Sequence, residues 1–198
     1  MASERRVSEQ LAFLLEADRL KSVLRRTPLA DDSRQENSAE HSWHLVLAAL
    51  VLREHLAEPC DLLAVMEMLA VHDLVEIDAG DTFAYDVKAQ ADKAEREGAA
   101  AERVFGLLPP DQAERLKARW TEFEEQHTID ARFANALDRL QPLLLNAASG
   151  GGSWRAHHVT RAQVLARMEP IRETLPGLWP VVERIMQEFT DKGLLRRT

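Results

Sequence analysis

The stretch LLAVMEMLAVHDLVE, residues 62–76, decides how this chain folds. Its first ten residues carry one charge, Glu67, and lead straight into His72-Asp73. A helix this apolar has no wet face and belongs between other helices. Asp73 is then at least partly buried, and an unpaired buried carboxylate costs on the order of several kcal/mol. No Lys or Arg lies within a turn or two of it. A metal ion is the natural partner.

Co-ligands are sought on the other apolar helices. Asn37, followed three residues later by Glu40, is a variant capping box that starts a helix over 39–56. That helix is apolar nearly all round (Trp43, Leu45, Val46, Leu47, Leu50, Val51, Leu52) and is predicted to be buried. His41 opens it, and His44 and His55 lie within about 60° of the same azimuth. Downstream, FANALDRLQPLLL, residues 133–145, puts Asp138 at the edge of a stripe of Phe133, Ala134, Leu137, Leu140 and Leu144. Imidazoles and carboxylates together form a hard-to-borderline set suited to Mn, Co, Ni, Fe or Zn as the divalent ion. His72 and Asp73 point about 100° apart on an α-helix, so one ion sits in the wedge between them.

The rest of the chain reads as more helices. Ser8 is placed to cap one through about residue 21, with Leu11, Leu14 and Leu15 on one face. Residues 24–35 and 77–86 read as loops. A charged, Ala-rich helix is expected over 87–105, starting at Val87, and Asp111 caps another anchored by Leu116, Trp120 and Phe123. SGGGS, residues 149–153, reads as a linker. Thr160 with Gln163 makes a capping box for a helix that Pro170 ends or kinks, and Pro180 opens a last helix closed by Gly193. No segment alternates with period two. The expectation is an all-α bundle of one domain, with a core over about 10–147 and C-terminal helices over about 154–195 packed on it.

Composition narrows the function. Of 198 residues, 45% are hydrophobic and 29% charged, with a formal net charge of −8. That field opposes binding to nucleic acid or to an anionic membrane. Cys60 is the single cysteine, which excludes a disulfide framework or thiolate cage. MASERRVSEQ has no apolar leader core, and the default location is the cytoplasm. Taken singly, His44 and His55 read as core histidines, His157 and His158 as loop residues, and Trp43, Trp120 and Trp179 as core or interface anchors.

Three segments in order, ENSAEHSWH (36–44), AVHDLVEIDAGD (70–81) and NALDRL (135–140), give the chain a specific resemblance. It resembles the HD-domain superfamily of metal-dependent phosphohydrolases, named for adjacent His-Asp ligands, and within it the 5′-deoxynucleotidase branch. The resemblance implies His41, His72, Asp73 and Asp138 as ligands of one divalent transition ion. It implies Glu76 as the catalytic acid/base, and helical geometry agrees by placing Glu76 one turn after His72 on the same face. It further implies that Asp81, Thr82, Phe83 and Ala84 hold the nucleotide sugar, with Asp81 also catalytic. An Arg after the first helix clamps phosphate in this family. Arg25 matches when aligned from the left and Arg26 from the right, and Arg26 is preferred. The aromatic residue that usually follows that Arg is absent from RRTPL. A homodimer is the family's habit. Competing readings are another nucleotide phosphate ester (a triphosphate or cyclic diester) and a non-catalytic metal-bound protein.

Overall fold

The apolar run at 62–71 becomes α3 (Leu62–Val71), capped by Asp61, whose side chain accepts from the N–H groups of Leu63 and Ala64. The structure is a computed structural model and describes residues 3–86 and 88–196. Around α3 pack α2 (Ser38–Leu52), α6 (Pro110–Glu125) and α7 (Ile129–Ala148). Behind α7 lie α9 (Arg161–Thr174) and α10 (Trp179–Asp191), which extend the same core through Ile171, Val182 and Met186. A second apolar cluster forms where α1 (Glu4–Ala17) and α5 (Lys93–Phe105) meet the segment after α3, through Phe13, Val71, Leu74, Val75 and Phe105. The fold is all-α, as the patterning implies.

Several local expectations are corrected. Residues 24–35 hold more than a loop: β1 (Leu24–Pro28) pairs antiparallel with β2 (Gln35–Asn37). Burial alternates along β1, with Arg25 and Thr27 inside and Leu24 and Arg26 outside. The inward residues are polar, so hydropathy hides the period of two. Ser3, not Ser8, caps α1, and Leu15 on its apolar face is 75% exposed. Only one side of α2 is covered, since Trp43, Leu47, Leu50 and Val51 all face outward. Val87 lies outside the described residues, and α5 itself begins at Lys93. Pro170 sits inside α9 without ending it.

The glycine-rich segment is a tight corner, not a linker. Gly150 and Gly151 take φ of +67° and +94°, a region open to glycine, and α8 (Gly152–Ala156) starts at once. A Cβ on Gly152 would lie 2.7 Å from Pro28 Cγ. That close approach seats α8 against β1 and brings the C-terminal helices to the strand carrying Arg25.

Candidate active site

The backbone changes pitch after Val71. His72 N–H still donates to Met68 O at 2.9 Å, but Leu74 N–H reaches Val71 O at 3.1 Å and Glu76 N–H reaches Asp73 O at 2.9 Å. A three-residue repeat makes positions i and i+3 eclipse. Glu76 is therefore aligned with Asp73 rather than stacked a helical turn beyond His72. A short α4 (Glu76–Ala79) follows, and Gly80, at φ +74°, turns the chain so that Asp81 comes back toward Arg25.

His41 enters from the first turn of α2, whose start is set by the capping box of Asn37 and Glu40. Its Nε2 lies 2.9 Å from Asp138 Oδ1 on α7, and its Nδ1–H donates to Gln141 Oε1 at 3.1 Å. His72 Nε2 lies 3.1 Å from Asp73 Oδ1 and 3.9 Å from Asp138 Oδ1. One donor atom each of His41, His72 and Asp73 falls within a mutual 4.8 Å, and all three residues are buried. Because His72 Nδ1–H donates to Leu69 O at 3.0 Å, the Nε2 facing the site carries a lone pair. That nitrogen is buried and has no hydrogen-bond partner among the described residues. A lone pair facing carboxylate oxygens is repulsive unless a cation lies between them, so the donor set fits a divalent ion.

Arg25 is the cation drawn into the same space. Its Nη1–H donates to Asp73 Oδ2 at 2.9 Å, and it stands 3.9 Å from Asp81 Oδ1 and 4.0 Å from Asp138 Oδ1. Burial disfavours its charge, but the surrounding carboxylates outweigh that and hold it firmly protonated. Burial pushes the Glu76 carboxyl well above the usual carboxylate range, and Asp73 pushes further in the same direction. Ser38 Oγ–H donates to Glu76 Oε2 at 2.6 Å. Asp81 is also raised by burial, against the pull of Arg25. Burial and Arg25 push His41 down, yet its hydrogen bonds to Asp138 and Glu36 prevail and lift it to about 9.

The remaining sequence-predicted residues lie close by. Arg26 is exposed, on the opposite face of β1 from Arg25. Thr82 Oγ1 accepts from Arg96, which also donates to Ala79 O and so braces the loop. Phe83 packs 5.3 Å from Tyr85 and 4.5 Å from the ring of His157, which thereby becomes part of the wall. Ala84 lines both halves of one continuous cleft, as do Arg25, Asp81, Thr82 and Arg167.

Sequence reasoning missed a layer of supporting groups. Gln141 Nε2–H donates to Glu36 Oε1 at 2.6 Å while Gln141 Oε1 orients His41. His44 Nδ1 lies 3.2 Å from the same amide, so His44 belongs to this support and not to the ion site. Gln141 follows Asp138 by three residues on α7, a spacing that places both on one face and was the available signal. His55 sits apart, in a turn after α2.

The HD domain matches residues 17–179. The chain belongs to the HD domain family. The crystal structure of a predicted metal-dependent phosphohydrolase from Magnetospirillum magnetotacticum MS-1 superposes with a TM-score of 0.91 at 48% identity, covering 98% of this HD protein and 100% of that chain. A conserved hypothetical protein from Pyrococcus furiosus shares the fold at a TM-score of 0.65 and 19% identity, over 89% of this chain and 99% of that one. By sequence, 5′-deoxynucleotidase HDDC2 of Bos taurus is 31% identical over 138 residues, and its Homo sapiens counterpart 29%. Each match takes in 66% of this chain and 65% of the relative, so this HD protein spans just under two thirds of those relatives' length.

Proposed function

We propose that this HD domain protein, a metal-dependent phosphohydrolase, releases phosphate from deoxynucleoside 5′-monophosphates. One observation carries the reading: His41, His72 and Asp73 converge, with Asp138 Oδ1 2.9 Å from His41 Nε2 and 3.9 Å from His72 Nε2, beside a cleft lined by Arg25, Glu76 and the 81–84 loop. The four ligands would hold one divalent transition ion, Mn, Co, Ni, Fe or Zn, which supplies Lewis acidity at a phosphoryl oxygen. Arg25, buried and aimed inward, is better placed than Arg26 to neutralise the phosphate, and a guanidinium offers paired donors to its oxygens. Glu76, whose carboxyl burial pushes well above the usual carboxylate range, would donate to the ester oxygen of the leaving sugar. Asp81 and Thr82 stand where a sugar hydroxyl would meet them, with Phe83 against the ring. The name borne by the cattle and human relatives, 5′-deoxynucleotidase, narrows the ester to this class.

Steady-state kinetics on paired ribo and deoxy 5′-monophosphates, and on 3′-monophosphates, test the reading. Among these monophosphates the deoxy 5′-esters are expected to give the highest kcat/KM. Equal values for both sugars would remove the deoxy claim, and no phosphate release from any ester would remove the whole reading. Two further proposals accompany it. No helix among the described residues is long and apolar enough to cross a membrane, and the proposed location is the cytoplasm. The uncovered apolar faces of α1 and α2 support pairing into a homodimer.

A further inference from the structure

Next to the ion corner, the cleft has a charge opposite to that of the protein. The chain carries a formal −8. Yet the part of the cleft between β1, α7, α8, α9 and the 81–85 loop is lined by four arginines, Arg25, Arg26, Arg139 and Arg167, against one carboxylate, Asp81. Arg25 is already engaged by Asp73. Arg167 forms one ion pair, with Asp138 at 3.7 Å. Arg139 donates a single long hydrogen bond, 3.4 Å, to the neutral Gln126. The other wall is aromatic, formed by Phe83, Tyr85 and Trp154.

A single phosphate at the ion corner is served by the ligands and Arg25. It gives no reason to bring two more half-buried guanidiniums to the same cleft, where each loses hydration. An anion in the cleft offsets that cost, and guanidiniums suit phosphate because their donors match its oxygens in pairs. We propose that this cleft is a subsite for a second phosphate group on the substrate, held by Arg139 and Arg167 while the first lies at the corner of His41, His72, Asp73 and Asp138. The favoured substrates are then nucleotides bearing two phosphates, with the aromatic wall receiving the base or sugar. This inference rests on the metal-dependent phosphohydrolase reading above and amends its substrate, from a nucleotide with one phosphate to one with two.

Two measurements decide it. The first compares wild-type kcat/KM for a deoxynucleoside 5′-monophosphate, the matching 3′,5′-bisphosphate and the 5′-diphosphate. One of the doubly phosphorylated substrates is expected to exceed the monophosphate by about tenfold or more, the worth of one charged hydrogen bond. Which one wins tells whether the second phosphate lies across the sugar or along the chain. Arg139→Gln and Arg167→Gln should each pull that ratio toward unity, and Arg139→Lys should restore part of it. No preference in the wild type, or a ratio unmoved by both Gln variants, overturns the subsite.

The second measurement is calorimetric titration of chelator-treated protein with pyrophosphate. Binding is expected to weaken about ten- to a hundredfold in either Gln variant, and equal binding overturns the subsite. Wild type that hydrolyses none of the three esters would sink the phosphohydrolase reading alone, and the pyrophosphate titration would then decide the subsite by itself.

Discussion

His41 Nε2 and Asp138 Oδ1 stand 2.9 Å apart, although 97 positions of chain separate them. This contact ties the first turn of α2 to the middle of α7. In the ion-free protein it contains a proton, because Asp138 and Glu36 lift His41 to about 9 over the opposing effects of burial and Arg25. An ion taking the Nε2 lone pair must displace that proton. Binding near pH 7 should therefore release about one proton from His41, and apparent affinity should rise about tenfold per pH unit up to pH 9. The ion-free fold has the opposite sign. A raised histidine stabilises fully below its unfolded value of about 6.5, and that contribution disappears as pH rises through 9. Calorimetry in two buffers of different ionisation enthalpy checks the first point, and thermal melts of chelated protein between pH 6 and 9 check the second.

Asp73→Ala removes a proposed ligand and also the hydrogen-bonded partner of buried Arg25. The wild type should carry about one ion per chain, and the variant none. The variant should also lose about 1.5–3 kcal/mol of stability, the worth of one hydrogen bond to a charged group, because Glu36, Asp81 and Asp138 still stand near Arg25. Elemental analysis with denaturant titration reads both. Equal metal content in the two proteins would exclude Asp73 as a ligand.

Glu76→Gln should keep the ion and the fold while turnover falls about 10²–10⁴-fold, the usual contribution of a positioned proton donor. Ser38→Ala should act through Glu76. Without the Ser38 Oγ–H bond the carboxyl rises further, so the pH above which activity declines should move upward. A pH–rate profile identical to wild type would detach Ser38 from this role.

Gly152→Ala tests the corner that docks α8 on β1. The added Cβ would sit 2.7 Å from both Pro28 Cγ and Ser149 Oγ. A cost of about 1–3 kcal/mol is expected from overpacking, together with a raised KM as β1 shifts and carries Arg25 with it. Unchanged Tm and KM would mean that the corner is slack.

Trp43, Leu47, Leu50 and Val51 follow i, i+4, i+7, i+8 spacing and form one uncovered stripe on α2. Light scattering is expected to give twice the chain mass for wild type and the chain mass for Leu50→Glu. A monomeric wild type would leave the stripe to some other partner.

Strong, local signals in the sequence were enough for much of this protein. A ten-residue run with the single charge Glu67, leading into His72-Asp73, implies a buried helix with a charge that needs a cation, and capping boxes at Asn37–Glu40 and Thr160–Gln163 set helix starts directly. These depend on neighbours within a turn, so they can be read without the fold. The tertiary structure decided what depends on distant groups. Polar alternation in Arg25–Thr27 becomes a strand only because Glu36, Asp73 and Asp138 wait on its inner side. Leu15 and Trp43 look like core residues from spacing alone, and only the placement of other helices leaves them at 75% and 66% exposure. Arg139 and Arg167 are ordinary surface letters on separate helices until α7 and α9 pack together. Charge sums along a chain are blind to that meeting, because electrostatic energy depends on distance through space and not on separation in sequence.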